Sequence, residues 1–108
     1  MTTTPPPTGE PVDPARIRVL TKPFAWIDVR LRERLHELSL EETALLFFLH
    51  IVADRQGLSF WADSTIGKKL GLKEGEVIQA RYALLHRGLI AYRYPLFQLL
   101  PLPERGEK

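Results

Sequence analysis

Residues 63–88 read DSTIGKKLGLKEGEVIQARYALLHRG, two helix-period segments either side of a glycine-leucine turn. Asp63 has a helix-capping side chain, and Ile66 and Leu70 recur four residues apart, so a short helix is expected over residues 64–70 with that edge inward. Gly71 and Leu72 turn the chain, and a longer helix is expected from Glu74 to Arg87, stopped at Gly88. Two helices joined so tightly form a helix-turn-helix unit. On a helical wheel Val77, Ala80 and Leu84 share one stripe and are expected to face the core, with Gly75, Gln79, Tyr82 and His86 roughly opposite. Ile78, Tyr82 and Leu85 form a second apolar stripe, and Arg81 lies in the arc between the two, where an arginine must snorkel or find a carboxylate.

C-terminal to this unit, residues 89–94 (LIAYRY) and 97–100 (FQLL) are strand-like runs separated by Pro95-Leu96, and they are expected to pair as a hairpin. On its N-terminal side, residues 58–61 (LSFW) read as a single short strand. Residues 39–42 (SLEE) have the pattern of a capping box in which the Ser39 hydroxyl and the Glu42 carboxylate each accept from the other residue's N–H. The helix that follows, through Ala53, is apolar nearly all round, so neighbours are expected to cover several of its faces. Gly57 has the place of a left-handed terminator after Arg55-Gln56. Before Ser39, residues 24–27 (FAWI) read as an extended lead-in, with Trp26 anchoring it to the core, and Val29 to Leu38 as an amphipathic helix.

Five of the nine prolines fall in the first 14 residues, so residues 1–22 are expected to be a flexible Pro/Thr-rich arm. Residues 23–100 are expected to be the folded domain and 101–108 a flexible tail. A chain of 108 residues has room for one modest core. Without cysteine, disulfide scaffolds, thiolate metal sites and cysteine nucleophiles are excluded. His36, His50 and His86 lack metal-ligand spacing, and no phosphate-binding glycine loop or nucleophile elbow is present, so no catalytic residue, metal site or cofactor is expected and the chain does not read as an enzyme. The longest apolar run, Ala44 to Leu49, is far short of the ~20 residues that span a bilayer. Residues 1–7 (MTTTPPP) lack the features of a secretory signal, and a cytoplasmic location is expected.

The order of helix, strand, helix, turn, helix and hairpin over residues 38–100 resembles the bacterial winged helix-turn-helix family found in transcription regulators, plasmid replication initiators and mobile-element proteins. The resemblance rests on Leu40 to Asp54 as first helix, the Phe60-Trp61 strand, Ile66 to Leu72 as helix and turn, and Leu84 to Ile90 leading into the hairpin. It implies a mainly α fold with a small β-hairpin wing, whose third helix enters the major groove of double-stranded DNA while the wing lies near the backbone. Relatives usually begin that helix with a serine or threonine cap and an arginine or threonine, whereas this chain has Lys73-Glu74-Gly75-Glu76, two acids where phosphates approach.

Charge is divided along the chain. Residues 55–100 hold seven Lys or Arg against three acids, and residues 24–54 hold three against six, so the helix-turn-helix half is the basic half. Lys68, Lys69, Lys73, Arg87 and Arg93 are therefore the expected phosphate contacts, and Gln79 and Tyr82 the side chains offered to base edges, Gln79 having the group that pairs with adenine. One such unit binds weakly, so useful specificity implies a dimer on a two-fold site or a larger assembly, with a homodimer or protein partner possible through the third helix. The alternative is a winged helix used for protein contact or oligomerisation, with Ile78, Tyr82 and Leu85 meeting a partner or a second copy. Phe47, Phe48, Phe60 and Trp61 are expected in the core, and Tyr92 and Tyr94 against the third helix or nucleic acid.

Overall fold

A computed structural model of the chain describes residues 10–18 and 24–102. The fold is mixed α/β: three α-helices and a three-stranded antiparallel sheet. In chain order these are α1 (Leu40–Val52), β1 (Leu58–Phe60), α2 (Asp63–Leu70), α3 (Glu74–His86), β2 (Ile90–Arg93) and β3 (Leu96–Leu99). The expected hairpin is β2–β3, closed by Tyr94-Pro95 across a cis peptide bond. It does not stand alone as a small wing on a mainly α body. β1 pairs with the other edge of β3, Ser59 opposite Phe97, giving the strand order β1-β3-β2.

The register puts Ser59, Phe97 and Tyr92 side by side on one face of the sheet, and that face meets the helices. Phe97 is fully buried there with Ile90, and the core continues through Leu45 and Leu49 of α1, Ile66 of α2 and Val77, Ala80 and Leu84 of α3. Complete removal of each such side chain from water is worth about 1.5–3 kcal/mol.

Several local readings need correction. Val29–Leu38 is not an α-helix but two 3-10 turns, Val29–Glu33 and Leu35–Glu37, meeting at Arg34. Only Leu31 is buried there and Leu35 is half exposed, so too little apolar surface is covered to offset helix nucleation. Trp26 does not anchor the lead-in: it is 85% exposed and touches Phe24. The Ser39 hydroxyl accepts from the Glu42 N–H as expected, but the Glu42 carboxylate turns to Arg87 instead of returning to Ser39. α1 ends at Val52, so Gly57 (φ +84°) serves the turn into β1, where an Asp54 carboxylate oxygen accepts from the N–H groups of Gln56 and Leu58. Asp63 is the first residue of α2 and caps nothing; Ala62 holds the cap position. At the C-terminal side, Leu102 packs against the core, beyond the expected limit at residue 100. Within the expected arm, the described turn Pro14–Arg16 buries no residue.

Two glycines shape the α2–α3 junction. Gly71 ends α2 in the left-handed region (φ +72°), and Gly67 lets the returning chain pass so closely that a Cβ there would lie 2.7 Å from the Leu72 carbonyl oxygen. The same approach lets the Leu72 N–H donate to the Gly67 carbonyl at 2.8 Å. Gly75, in the first turn of α3, has open space around its missing Cβ. The two sites therefore respond oppositely to one substitution. Gly67→Ala should destabilise by about 1–3 kcal/mol because backbone must move, whereas Gly75→Ala should be neutral or stabilise by up to about 1 kcal/mol. Urea denaturation of the two variants measures both signs.

Candidate functional site

The position of α3 is set by its two arginines. Arg81 donates from Nη2 to Oδ2 of Asp63 at 2.7 Å, with the two side chains only 10% and 15% exposed. Its guanidinium lies 4.2 Å from the centre of the Tyr92 ring and 5.4 Å from that of Tyr82. One group thus ties α3 to the first turn of α2 and to β2. Of the two outcomes expected for Arg81, snorkelling or a carboxylate, the structure shows the second, and the carboxylate is that of Asp63 in the first turn of α2. Asp63 Oδ1 and Arg81 Nε remain buried without hydrogen-bond partners, so the pair is enclosed but not fully satisfied. Burial pushes the Tyr92 hydroxyl above the ordinary tyrosine range, partly offset by the Arg81 charge.

Arg87, at the end of α3, donates from Nε to Oε1 of Glu42 at 2.9 Å and approaches Glu37 at 4.0 Å. Arg34 also donates to Glu37, and these cations hold the Glu37 carboxyl below the usual range, Arg34 foremost. Arg87 therefore closes α3 onto α1, and its charge is spent on acids rather than presented outward as expected.

What α3 shows to solvent is nearly uncharged. Gly75, Gln79, Tyr82 and His86 are exposed, as the helical wheel requires, while Val77, Ala80 and Leu84 are buried beneath them. Glu74 is exposed; the Glu76 carboxylate accepts from the Lys73 N–H at 2.9 Å, the reciprocal half of a capping box, while Lys73 has no side-chain cap bond of its own. The proposed apolar stripe divides: Leu85 packs on the core, Ile78 is half-buried, and Tyr82 alone is well exposed, at 61%. Leu85 thus belongs to the domain's own packing rather than to a free interface.

Four of the five expected phosphate contacts are exposed and, among the described residues, form no ion pair: Lys68 and Lys69 in the last turn of α2, Lys73 before α3, and Arg93 at the end of β2. Tyr94, beside Arg93 in the hairpin turn, is 76% exposed, whereas Tyr92 is half-buried against the Arg81 guanidinium. Between the N-terminal turns of α1 and α3 lies an open groove of about 590 Å³, lined by Ser39, Glu41, Glu42, Lys73, Glu76 and Gln79 among others. Gln79 therefore stands at the rim of an acidic groove. Among the described residues no group of three or more His, Asp or Glu is placed to hold a metal ion.

A surface outside the expected site is more apolar than anything on α3. Phe47 is 56% and Phe60 68% exposed, contrary to their expected burial, while Phe48 and Trp61 do pack edge to face. Leu40 and Ile51 flank Phe47 on α1 and are also exposed. The continuous apolar sequence of α1 was the signal, and among the described residues no second layer covers its outer side. Comparison with known proteins finds no matching family model, curated protein or solved structure.

The Arg81–Asp63 pair yields a stability test. Asp63→Asn or Arg81→Met alone leaves a charge nearly buried and unpaired and should cost about 3 kcal/mol, whereas the double variant should cost clearly less than the sum. Denaturation of the three variants gives the coupling directly. Tyr92 titrates in the same cluster. Because its ionisation is raised in the folded protein, the stability it confers is intact below the ordinary value of 10.0 and is lost as pH climbs through the raised value. Tyr92→Phe should remove a phenolate that titrates above the ordinary value of 10.0 in an alkaline absorbance titration.

Proposed function

We propose that the chain is a winged helix-turn-helix protein that binds double-stranded DNA, with α3 in the major groove and the β2–β3 hairpin as its wing. The observation that carries this reading is the exposed outer face of α3 together with four exposed cations on neighbouring segments, Lys68 and Lys69 at the end of α2, Lys73 before α3 and Arg93 at the end of β2, none of which forms an ion pair among the described residues. The element order and the strand order β1-β3-β2 support it, because they join the hairpin to the short strand between α1 and α2 and leave α3 open to solvent. Lys68, Lys69, Lys73 and Arg93 neutralise phosphates, while Gln79 and Tyr82 face base edges. Arg87 has no part in it. The acidic start of α3 counts against this reading: Glu76 accepts from the Lys73 N–H but keeps its charge, and Glu74 is exposed. A role in regulation, replication or a mobile element, in the cytoplasm, fits this reading.

The alternative of protein contact through Ile78, Tyr82 and Leu85 is weakened by the burial of Leu85. Protein contact is supported instead on α1, by the exposure of Leu40, Phe47 and Ile51.

With four cations on phosphate, the logarithm of the binding constant for a mixed-sequence duplex should fall against log salt with a slope of about −3 to −4 per subunit. Lys68→Ala should lower affinity for all sequences alike and reduce the slope by about 1, whereas Arg87→Ala should lower stability and leave the slope unchanged. Fluorescence anisotropy over a salt series reads both. Absence of any salt-sensitive affinity at low ionic strength would remove the DNA reading.

A further inference from the structure

Leu40, Ala44, Phe47 and Ile51 fall at i, i+4, i+7 and i+11 along α1, one straight stripe about 16 Å long. It is turned away from the face that buries Leu45 and Leu49. Leu40 is 87%, Phe47 56% and Ile51 55% exposed, and no acid, lysine or arginine interrupts the stripe. We infer that this stripe is a homodimer interface in which α1 packs antiparallel against α1 of a second copy.

The occupant follows from self-complementarity. A two-fold axis crossing the middle of the stripe sets Leu40 of one copy against Ile51 of the other and Ala44 against Phe47, so each large ring meets the gap left by a small residue, twice. The charges repeat the pattern. Among the described residues Glu41, in the first turn of α1, forms no ion pair, and neither does Arg55, exposed in the turn that follows α1. Antiparallel packing brings Glu41 of each copy towards Arg55 of the other and opposes the two helix dipoles, whereas parallel packing would set Glu41 beside Glu41. Four side chains per copy cover an area of about 800 Å² in total, below the range of about 1,200–2,000 Å² for stable complexes, so the dimer should be reversible and concentration-dependent.

Sedimentation velocity of the full chain, without DNA, tests this. The mass should rise with concentration from 12.4 kDa towards twice that value. Phe47→Glu should weaken association at least ~10-fold, and because Phe47 is more than half exposed its melting temperature should stay close to that of the unchanged chain. Glu41→Arg should weaken association, and the double variant Glu41→Arg, Arg55→Glu should restore it. A chain that is monomeric at every concentration, a dimer indifferent to Phe47→Glu, or a double variant that does not recover would each overturn the proposal. Since no DNA enters the measurement, its failure leaves the DNA reading standing, and loss of DNA affinity leaves the dimer standing.

Discussion

Helix α3 is held by two arginines that reach into the first turns of the other two helices, Arg81 to Asp63 of α2 and Arg87 to Glu42 of α1. Each carboxylate sits where a helix N-terminus already favours negative charge, so one acid serves both its own helix and the tertiary contact. The two pairs differ in kind. Arg81 is enclosed under Tyr92, where loss of one partner strands the other, while Arg87 is 30% exposed and shares its charge between Glu42 and Glu37. Apolar packing of Val77, Ala80 and Leu84 supplies most of the adhesion of α3, and the arginines fix its rotation and tilt.

The same contacts determine what is left for a partner. Both arginines of α3 point inward, so the exposed face of this helix has Gln79, Tyr82, His86 and Gly75 with one unengaged acid, Glu74. Positive charge reaches that face only from its borders, the end of α2, the turn before α3 and the hairpin. In the proposed complex, non-specific affinity therefore comes from the flanks and sequence discrimination from neutral groups at the centre. That division separates the residues that set the salt dependence from those that set the preferred sequence.

Much of this was legible in the sequence where a local rule had no competitor. The two helices around Gly71, the buried stripe of α3 and the β2–β3 hairpin all follow from periodicity and turn chemistry, and the choice open to Arg81, to snorkel or to find a carboxylate, follows from its place on the wheel. Less legible was which acid answered. Asp63 and Glu42 each had a plausible local duty as helix caps, and each instead takes an arginine, 18 and 45 residues away respectively, because a guanidinium nearing burial gains more from a carboxylate than an exposed cap N–H does. Glu76 had no such competitor and does reach back, to Lys73. The pairing of β1 with β3 was hidden for a similar reason, since three residues contain no signal for a partner nearly forty positions on.

The apolar excess of α1 was legible in outline and misleading at one residue, Phe47. Several faces of the helix are covered as expected, by α3, α2, the sheet and the turn around Leu31, but among the described residues nothing covers the side of Phe47. Leu45, Leu46, Phe48 and Leu49 take that cover, and Leu40, Phe47 and Ile51 are left outside. For a chain this small the exposed stripe is a cost to solubility unless something occupies it. Its regular spacing, the fit of Ala44 to Phe47 and the placement of Glu41 and Arg55 at opposite ends make a second copy of the same helix the occupant that satisfies shape and charge together.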